Sequence, residues 1–344
     1  IEEVASNVSR LDYSDGGCPS LLLEPTATNL ITYSEDFSNI AWSKTSGGLA
    51  SSPVLTNGYA ISPDGTQNAT RCLFDMGGGI STSDFSRLRN LNITATTPLI
   101  SIYIKSNNAN TYQLNLSYGG DSVFLIDAKP NEWTRVDKLA TVSGSFDYRL
   151  ELRGSYTSDD TADVLIWGAQ AEENSYATSY IKTVGSVQTR VADTASGAGN
   201  STVINSSEGV LYAEISALEN GNSLKLLELN NGGTSDRVFI YYRNDSIYTQ
   251  VIVGGIAQFS INTALTVTDF NKIAISYAEN NFALWVNGTE VGTDSSGVTS
   301  VAGTLNNIDF SNNTGGIPFY GKTKSLRVYT TALSDAELTT LTTI

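Results

Sequence analysis

The sequence predicts an all-β protein made of two tandem antiparallel β-sandwich domains of jelly-roll type, with one short C-terminal helix. Apolar and polar residues alternate along most segments, which is typical of half-buried strands. Clusters of Gly, Asp, Asn, Ser and Pro separate these segments at the intervals expected of a sandwich. The pattern also stops and restarts once. With 344 residues, 40% of them hydrophobic, the chain is long enough to form two cores.

The first half has its clearest strands between residues 100 and 118. Isoleucines at 100, 102 and 104 alternate with polar residues, a polar turn spans 106–110, and a second alternating segment covers 112–118. This arrangement predicts one antiparallel hairpin. Further strands are predicted at 123–126, 133–139, 148–153 and 164–167.

The alternation fades between residues 183 and 207, where small and polar residues dominate. We therefore predict an N-terminal connecting segment over 1–25, a jelly roll over 26–190, a linker over 191–207 and a second sandwich over 208–344. Strands of the second sandwich are predicted at 209–215, 225–229, 237–242, 247–253 and 272–277. The last of these returns through 282–286 as a hairpin that ends at Asn287-Gly288, a strong two-residue turn signal.

The helix is predicted directly after Ser334. Ser334 is a suitable N-cap, and Glu337 stands at the N3 position of a capping box. Leu333 and Leu338 fit a hydrophobic staple. We expect Leu338 and Leu341 to hold this helix against the sandwich.

The chain contains no histidine, which excludes Ser-His-Asp triads, Cys-His dyads and His-ligated zinc or haem. Without histidine, no unperturbed side chain titrates between about pH 5 and 8, so we expect ligand contact to depend little on pH there. The net charge of −15 argues against nucleic acid and against an anionic membrane as partners. It also disfavours acidic polysaccharides unless local basic pockets or bound cations intervene, whereas neutral glycans remain open.

No apolar run approaches the roughly 18 to 20 residues of a membrane span, so no membrane insertion is expected. The only methionine is Met76, and we therefore expect Ile1 to lie within a longer or processed polypeptide.

Two groups of motifs, near the two ends of the first sandwich, carry a family resemblance. The first is Leu-Leu-Leu-Glu-Pro at 21–25, followed by Thr-Asn-Leu-Ile-Thr-Tyr-Ser-Glu-Asp-Phe-Ser at 28–38 and Ala-Trp-Ser-Lys at 41–44. The second is Ile-Trp-Gly-Ala-Gln-Ala-Glu at 166–172, with Ala-Thr-Ser-Tyr-Ile at 177–181 and Thr-Arg-Val-Ala-Asp at 189–193. Over residues 11 to 196 the chain resembles the head spike or head fibre domain of bacteriophage virion proteins, which is similar to jelly-roll carbohydrate-binding modules.

Residues 208–344 resemble a concanavalin A-like (laminin-G-like) sandwich. The resemblance is carried by Lys-Ile-Ala-Ile-Ser-Tyr at 272–277, Leu-Trp-Val-Asn-Gly at 284–288, Leu-Arg-Val-Tyr at 326–329 and Ala-Leu-Ser-Asp-Ala-Glu-Leu at 332–338. Such domains include glycan binders, protein binders, spacers, glycosidases and lyases, so the fold alone does not choose a function.

Sugars stack their C–H faces on aromatic rings, so aromatic residues outside the predicted core are the candidate ligand platforms. Trp285 stands out because its neighbours Leu284 and Val286 take the inward phase of their strand. The alternative is that such rings cover the second sheet face or a subunit interface. The candidate glycan platforms are Trp42, Tyr103, Tyr241, Tyr242 and Trp285. By contrast, Trp133, Trp167 and Phe282 are predicted to lie in the cores.

Catalysis and tightly held metals have weaker support. The second sandwich lacks the Glu-x-Asp-x-x-Glu spacing of laminarinase-like relatives, so we expect no enzyme activity. Structural calcium stays open as an alternative, although the loop carboxylates also suit turns. Those carboxylates include Asp121, Asp159, Asp160, Asp236 and Asp309. Cys18 and Cys72 allow one disulfide or none, and both are expected to be structural.

Together these observations predict a non-enzymatic virion fibre or spike protein of a bacteriophage, located on the virion surface, that adheres to host-surface glycans by weak multivalent binding. Other virion proteins would attach through a region upstream of Ile1, and a homo-oligomer is expected. The alternative is the non-catalytic carbohydrate-binding portion of a secreted bacterial polysaccharide-degrading enzyme or adhesin. A structural decoration without a ligand is the third reading.

Overall fold

The structure is a computed structural model that describes residues 8–119, 122–140 and 144–344. The chain divides into two compact units: Thr26–Val191, and residues 8–25 together with Ala192–Ile344. We call them the first and the second sandwich. In the described ranges the structure is all-β apart from one helix, as predicted.

The strands are numbered in chain order. β1 (Leu11–Asp12) and β2 (Ser20–Leu23) precede those of the first sandwich, which are β3 (Ala27–Asn29), β4 (Trp42–Gly47), β5 (Ser51–Ala60), β6 (Ala69–Asp75), β7 (Phe85–Ala95), β8 (Leu99–Ser106), β9 (Tyr112–Ser117), β10 (Leu125–Ala128), β11 (Thr134–Leu139), β12 (Gly144–Arg153), β13 (Thr161–Glu172) and β14 (Gln188–Arg190).

The remaining elements are β15 (Glu208–Ala217), β16 (Lys225–Asn230), β17 (Arg237–Tyr242), β18 (Ser246–Val253), β19 (Ile256–Ala264), β20 (Asn271–Ala278), β21 (Asn281–Val286), β22 (Thr289–Asp294), β23 (Asn307–Asp309), β24 (Gly321–Tyr329) and the helix α1 (Asp335–Thr342).

The first sandwich pairs a sheet of order β10-β9-β12-β7-β4 with a sheet of order β11-β8-β13-β6-β5, and a short β3–β14 ribbon completes it. Its core is filled from both sheets by inward residues such as Ile102, Leu116, Leu150 and Ile166. The alternation seen in the sequence is the physical cause, because every second side chain of a strand points to the same face.

The predicted hairpin over residues 100–118 is wrong. β8 pairs with β11 and β13, whereas β9 pairs with β10 and β12, so the two strands belong to different sheets. Their apolar residues share one core, and the short 107–111 connection crosses from one sheet to the other. Alternation alone cannot distinguish strands that pair from strands that face each other across a core.

The second sandwich has a seven-stranded sheet of order β1-β2-β24-β15-β20-β21-β22 and a five-stranded sheet of order β19-β18-β17-β16-β23. The predicted β20–β21 hairpin is confirmed, with Ile275 opposite Leu284. Asn287 and Gly288 both have positive φ, at 50° and 80°, as a tight turn into β22 requires.

The predicted connecting segment over 1–25 does more than connect, because its described residues 8–25 belong to the second sandwich. Leu21 pairs with Thr323 and Leu23 with Gly321, so β2 extends the seven-stranded sheet. The predicted linker also packs as part of the second sandwich: Ile204 is buried in its core, and Ala198 pairs with Ile308. The apolar residues of these stretches are too sparse for a periodic signal, yet Leu23 and Ile204 fill positions in the core of the second sandwich.

Helix α1 begins as predicted. The Ser334 backbone N–H donates to Glu337 Oε2 at 2.8 Å, and the Ser334 hydroxyl donates to the same atom at 2.7 Å. Leu338 is buried against the outer face of the seven-stranded sheet. Within the described residues, no helix is long and apolar enough to cross a membrane.

Candidate functional site

Three of the five predicted glycan platforms are buried. The exposed fraction is 3% for Trp42, 0% for Tyr242 and 6% for Trp285. A buried ring has no face free for a sugar, so these three assignments are corrected. Tyr103 and Tyr241 remain partly exposed.

Trp42 and Tyr242 lie in the two cores. The Trp42 ring packs edge-on against Tyr148 at 5.6 Å, and its indole N–H donates to the Tyr33 carbonyl at 2.8 Å. Tyr242 packs near Phe319, and burial raises the pKa of its hydroxyl. Tyr242 points inward because its neighbour Tyr241 takes the outward phase of β17.

Trp285 does face away from the core of the second sandwich, as its strand phase predicts. The outer face of that sheet is covered, however: Trp285 forms a second apolar cluster with Tyr212 and with Leu338 of α1. The helix predicted to rest on the sandwich rests on this ring. Sequence analysis identified the ring and the helix separately and missed their contact.

Tyr103 belongs to an aromatic cluster on the outer face of the first sandwich. Its ring centroid lies 5.4 Å from that of Trp167 and 6.5 Å from that of Tyr180. Tyr180 covers Trp167 and is fixed by hydrogen bonds with the Ser34 hydroxyl and Glu35. Burial raises the pKa of the Tyr103 hydroxyl. This cluster is largely filled by its own side chains.

Of the three aromatic residues predicted to lie in the cores, two are buried and one is not. Phe282 lies in the core of the second sandwich, and Trp167 is buried, although beneath Tyr180 and outside the sheet pair. Trp133 is half-exposed, with its indole N–H donating to the Ile61 carbonyl at 3.2 Å and Lys105 over its ring at 5.2 Å. The prediction for Trp133 is therefore wrong.

Tyr241 is the candidate that the structure places in a ligand-sized pocket. It lies directly opposite Tyr248 of β18 on the outer face of the five-stranded sheet. The two ring centroids are 6.3 Å apart, and the ring planes differ by only 10°. Phe239 packs beneath both rings, at 4.7 Å from Tyr241 and 6.0 Å from Tyr248. We call Tyr241 and Tyr248, supported by Phe239, the tyrosine shelf.

Polar side chains surround the tyrosine shelf. Its open pocket has a volume of about 340 Å³, which is within the usual range of small-ligand sites. The lining residues are Leu224, Tyr241, Arg243, Ser246, Tyr248 and Asn262. The Tyr248 hydroxyl accepts a hydrogen bond from Ser260 at 3.1 Å, which orients the ring. The shelf can therefore offer aromatic faces together with hydrogen-bonding groups.

Sequence analysis missed Tyr248. The signal was available, because the strands predicted at 237–242 and 247–253 are separated by only four residues. A hairpin with that loop places residues 241 and 248 in register, and an outward Tyr241 then requires an outward Tyr248.

A pair of buried carboxylates lies on the same sheet face. Glu228 is fully buried and Asp309 is 7% exposed. Asn230 Nδ2 donates to both, at 3.1 Å to Glu228 Oε1 and 2.6 Å to Asp309 Oδ2. The pKa of Glu228 is raised to about 7, chiefly by burial and in part by Asp309, while Arg237 at 3.4 Å opposes the shift. Since neither carboxylate is open to a substrate, the pair does not form an accessible acid and base for glycoside cleavage.

The carboxylates considered for calcium are engaged as hydrogen-bond acceptors. Asp159 accepts from the Gln113 N–H, Asp160 from the Gly78 N–H, and Asp236 from the Ser300 hydroxyl. Asp121 lies outside the described residues. In the described ranges, no group of three or more His, Cys, Asp or Glu side chains could hold a metal ion.

The two cysteines are free thiols. Cys18 is exposed, whereas Cys72 is fully buried in the core of the first sandwich, and burial raises the pKa of its thiol. The sequence allowed one disulfide or none, and the structure has no disulfide between Cys18 and Cys72.

The chain is similar to several solved structures at low sequence identity. The CBM40 of Ruminococcus gnavus IT-sialidase is 18% identical over 44% of this chain and 95% of its own, with a TM-score of 0.36. Domains LG4-5 of the mouse laminin α1 chain are 10% identical over 85% and 96%, with a TM-score of 0.29. The CBM22 tandem of Paenibacillus barcinonensis Xyn10C is 10% identical over 96% and 100%, also with a TM-score of 0.29. No ligand or activity follows from these likenesses.

A family model matches part of the second sandwich. The match covers residues 211–339, from β15 into α1, and includes both residues of the tyrosine shelf. No curated protein matches the chain. The resemblance of the first sandwich to phage head fibres stays a prediction. The matching model is that of the concanavalin A-like lectin/glucanase superfamily, a laminin-G-type model, to which residues 211–339 are similar.

Proposed function

We propose that this chain is a non-catalytic glycan-binding protein and that the tyrosine shelf of its second sandwich is the binding site. The observation that carries the proposal is the outward, nearly parallel pair Tyr241 and Tyr248 in an open pocket with a polar rim. A lectin-type domain around the pocket supports it. The expected ligand is a neutral sugar, because its apolar C–H face can stack on the rings while Asn262 and Arg243 contact its hydroxyls.

The pocket is open to solvent, so we expect one site to bind weakly. Useful adhesion then requires many copies on one surface, where effective concentration replaces single-site affinity. A homo-oligomer would supply such copies, as predicted from the sequence.

The test is glycan-array binding by the full chain, followed by calorimetric titration of the best neutral glycan against Tyr248→Ala. We expect affinity to fall at least tenfold, since stacking on one aromatic ring contributes roughly 1 to 3 kcal/mol in other ligand systems. Tyr13→Ala is the matched control, because Tyr13 is 63% exposed and lies outside the shelf. Unchanged affinity in a folded Tyr248→Ala protein, or cleavage of the bound glycan, would refute the proposal.

We further propose that the protein acts on the surface of a bacteriophage virion, where the shelf contacts host glycans. Only the sequence resemblance over residues 11 to 196 supports this location. Immunogold labelling of phage particles with an antibody to the chain tests it. Labelling confined to secreted bacterial protein would favour the alternative, a binding portion of a polysaccharide-degrading enzyme or adhesin.

A further inference from the structure

Four arginines share the outer face of one sheet of the first sandwich. β7 contributes Arg87 and Arg89, and β12 contributes Arg149 and Arg153. Their strand neighbours Leu88, Leu150 and Leu152 point into the core, so the arginines point away from it. We call Arg87, Arg89, Arg149 and Arg153 the arginine face.

Two acidic side chains only partly neutralise this face. Arg87 Nε lies 2.5 Å and Arg153 Nε 3.2 Å from oxygens of the buried Glu151. Arg149 Nη2 lies 2.7 Å from Asp147, whereas Arg89 Nη1 is 3.7 Å from the same carboxylate. Among the described residues, the four arginines have only these two acids as ion-pair partners, which leaves a local positive excess in a chain whose net charge is −15.

The arginine face costs free energy through repulsion between like charges. Arg89 and Arg149 are directly opposite each other on neighbouring strands, a position in which like charges repel. Burial lowers the pKa of Arg87, and repulsion from Arg149 and Arg153 contributes to the shift. A bound anion would relieve this repulsion.

Polar atoms without partners lie on the same face. Among the residues that the structure describes, Arg89 Nε, Arg149 Nε and the Thr45 hydroxyl are buried atoms with no hydrogen-bond partner. Thr45 lies opposite Arg87, one register step from the Arg89–Arg149 row. The side chains of this face therefore leave part of their own hydrogen-bonding capacity unused.

The Arg89–Arg149 pair is accessible. Arg89 exposes 27% of its side chain and Arg149 exposes 15%, while Arg87 is 7% exposed beside Glu151. Arg87 and Arg153 also hold the Phe85 ring between them, at 4.0 and 5.0 Å from its centroid. Arg87 and Arg153 therefore stabilise the arginine face, and Arg89 and Arg149 can contact a ligand.

We propose that the arginine face binds a carboxylate-bearing saccharide through Arg89 and Arg149. A guanidinium fork matches the two oxygens of a carboxylate, and the hydroxyl of Ser43, which lies opposite Arg89 on the adjoining edge strand, suits a sugar hydroxyl. A nucleic acid fits less well, because its dense negative charge would be repelled by the −15 of the whole chain. A sugar with isolated charges meets only the local positive field.

The site is independent of the function proposed for the tyrosine shelf, because the two lie in different sandwiches. Tyr248→Ala should leave binding of acidic sugars intact. Arg149→Gln should leave binding of neutral sugars intact. Failure of one proposal therefore does not imply failure of the other.

The experiment titrates the full chain with hexagalacturonate and 3′-sialyllactose, and with maltohexaose and lactose as neutral counterparts. We expect one or both acidic probes to bind more tightly than their neutral counterparts, with affinity falling as salt rises. Arg149→Gln should lower that affinity at least tenfold. Arg149→Lys should show an intermediate loss, because it keeps the charge without the fork.

Arg71→Gln is the matched control, since it removes one arginine from the other sheet of the same sandwich, where Arg71 pairs with Asp163. It should bind as the wild type does. Thermal unfolding verifies that each variant is folded, and Arg89→Gln serves in place of Arg149→Gln should the latter not fold. Equal binding of acidic and neutral probes, wild-type affinity in a folded variant, or tighter binding of a single-stranded oligonucleotide would overturn the proposal.

Discussion

Glu151 of the first sandwich and Glu228 of the second are both buried on the outer face of a sheet, but their electrostatic surroundings are opposite. In the first sandwich Glu151 accepts from Arg87, Arg153 and Asn115. In the second, Glu228 has a single arginine at 3.4 Å and shares an amide donor with Asp309. One carboxylate is outnumbered by cations, whereas the other sits beside a second acid.

The difference shows that a common architecture does not determine the chemistry of its surface. The inward positions of both sandwiches carry the same types of aliphatic and aromatic residue. The outer face of the β7–β12 sheet in the first sandwich carries arginines, whereas the outer face of the five-stranded sheet in the second carries the tyrosine shelf. Function must therefore be sought on the outward phase of the strands, where packing constrains the residue type least.

The largest effect is expected for Glu151→Gln. The substitution leaves Arg87 and Arg153 without their anion in a buried site, and breaking such a network costs about 3 to 5 kcal/mol. Urea denaturation measures the free energy of unfolding. Asp147→Asn is the control and should cost less than about 1 kcal/mol, since Asp147 is part-exposed. Equal losses would show that Glu151 has no special role.

A somewhat smaller loss is expected for Leu338→Ala, which tests how the second sandwich covers its outer tryptophan. Leu338 is 1% exposed and packs with Trp285. Removing a buried leucine side chain costs about 2 to 4 kcal/mol, and the Trp285 ring should become more accessible. Denaturation and acrylamide quenching of tryptophan fluorescence measure the two effects. Stability within about 0.5 kcal/mol of wild type would mean that α1 is not needed to cover Trp285.

The smallest effect is expected for Glu228→Gln, and it depends on pH. The pKa of Glu228 is raised from 4.5 to about 7, so the folded state holds its proton more tightly than the unfolded state does. The free energy of unfolding should therefore fall as pH rises from about 4.5 to 7 and then level off. Glu228→Gln should remove this fall and be about 2 kcal/mol more stable than wild type at pH 8.

At pH 4 the Glu228→Gln variant and the wild type should be equally stable, which provides the internal control. Denaturation at a series of pH values gives the comparison. A parallel pH dependence in both proteins would show that Glu228 does not titrate in this range.

The Glu228 side chain also limits an expectation drawn from composition. The missing histidine predicts little pH dependence between about pH 5 and 8 only for unperturbed side chains. Glu228 lies opposite Phe239, the ring that supports the tyrosine shelf. Burial and a neighbouring acid created a titrating group that no count of residue types reveals.

The sequence predicted the structural features that depend on the local alternation of apolar and polar residues. It missed those that depend on pairing between distant segments. The β20–β21 hairpin and the capped helix follow from neighbouring residues and were correct. The β8–β9 hairpin, the covering of Trp285 and the Glu228–Asp309 pair all depend on contacts between distant segments. The arginine face was partly visible, because Arg87 and Arg89 are two apart and so share a face. Its partner Arg149 is some 60 residues away, and register alone joins them.

The pairing of β2 with β24 affects the order in which the chain can fold during synthesis. About 300 residues separate Leu21 from Thr323, although the two are opposite each other in one sheet. The first sandwich has all its strands once residue 191 has left the ribosome. The second must wait for its last strands, with the edge of β2 that pairs with β24 open until then, so it is the one exposed to early aggregation or in need of a chaperone.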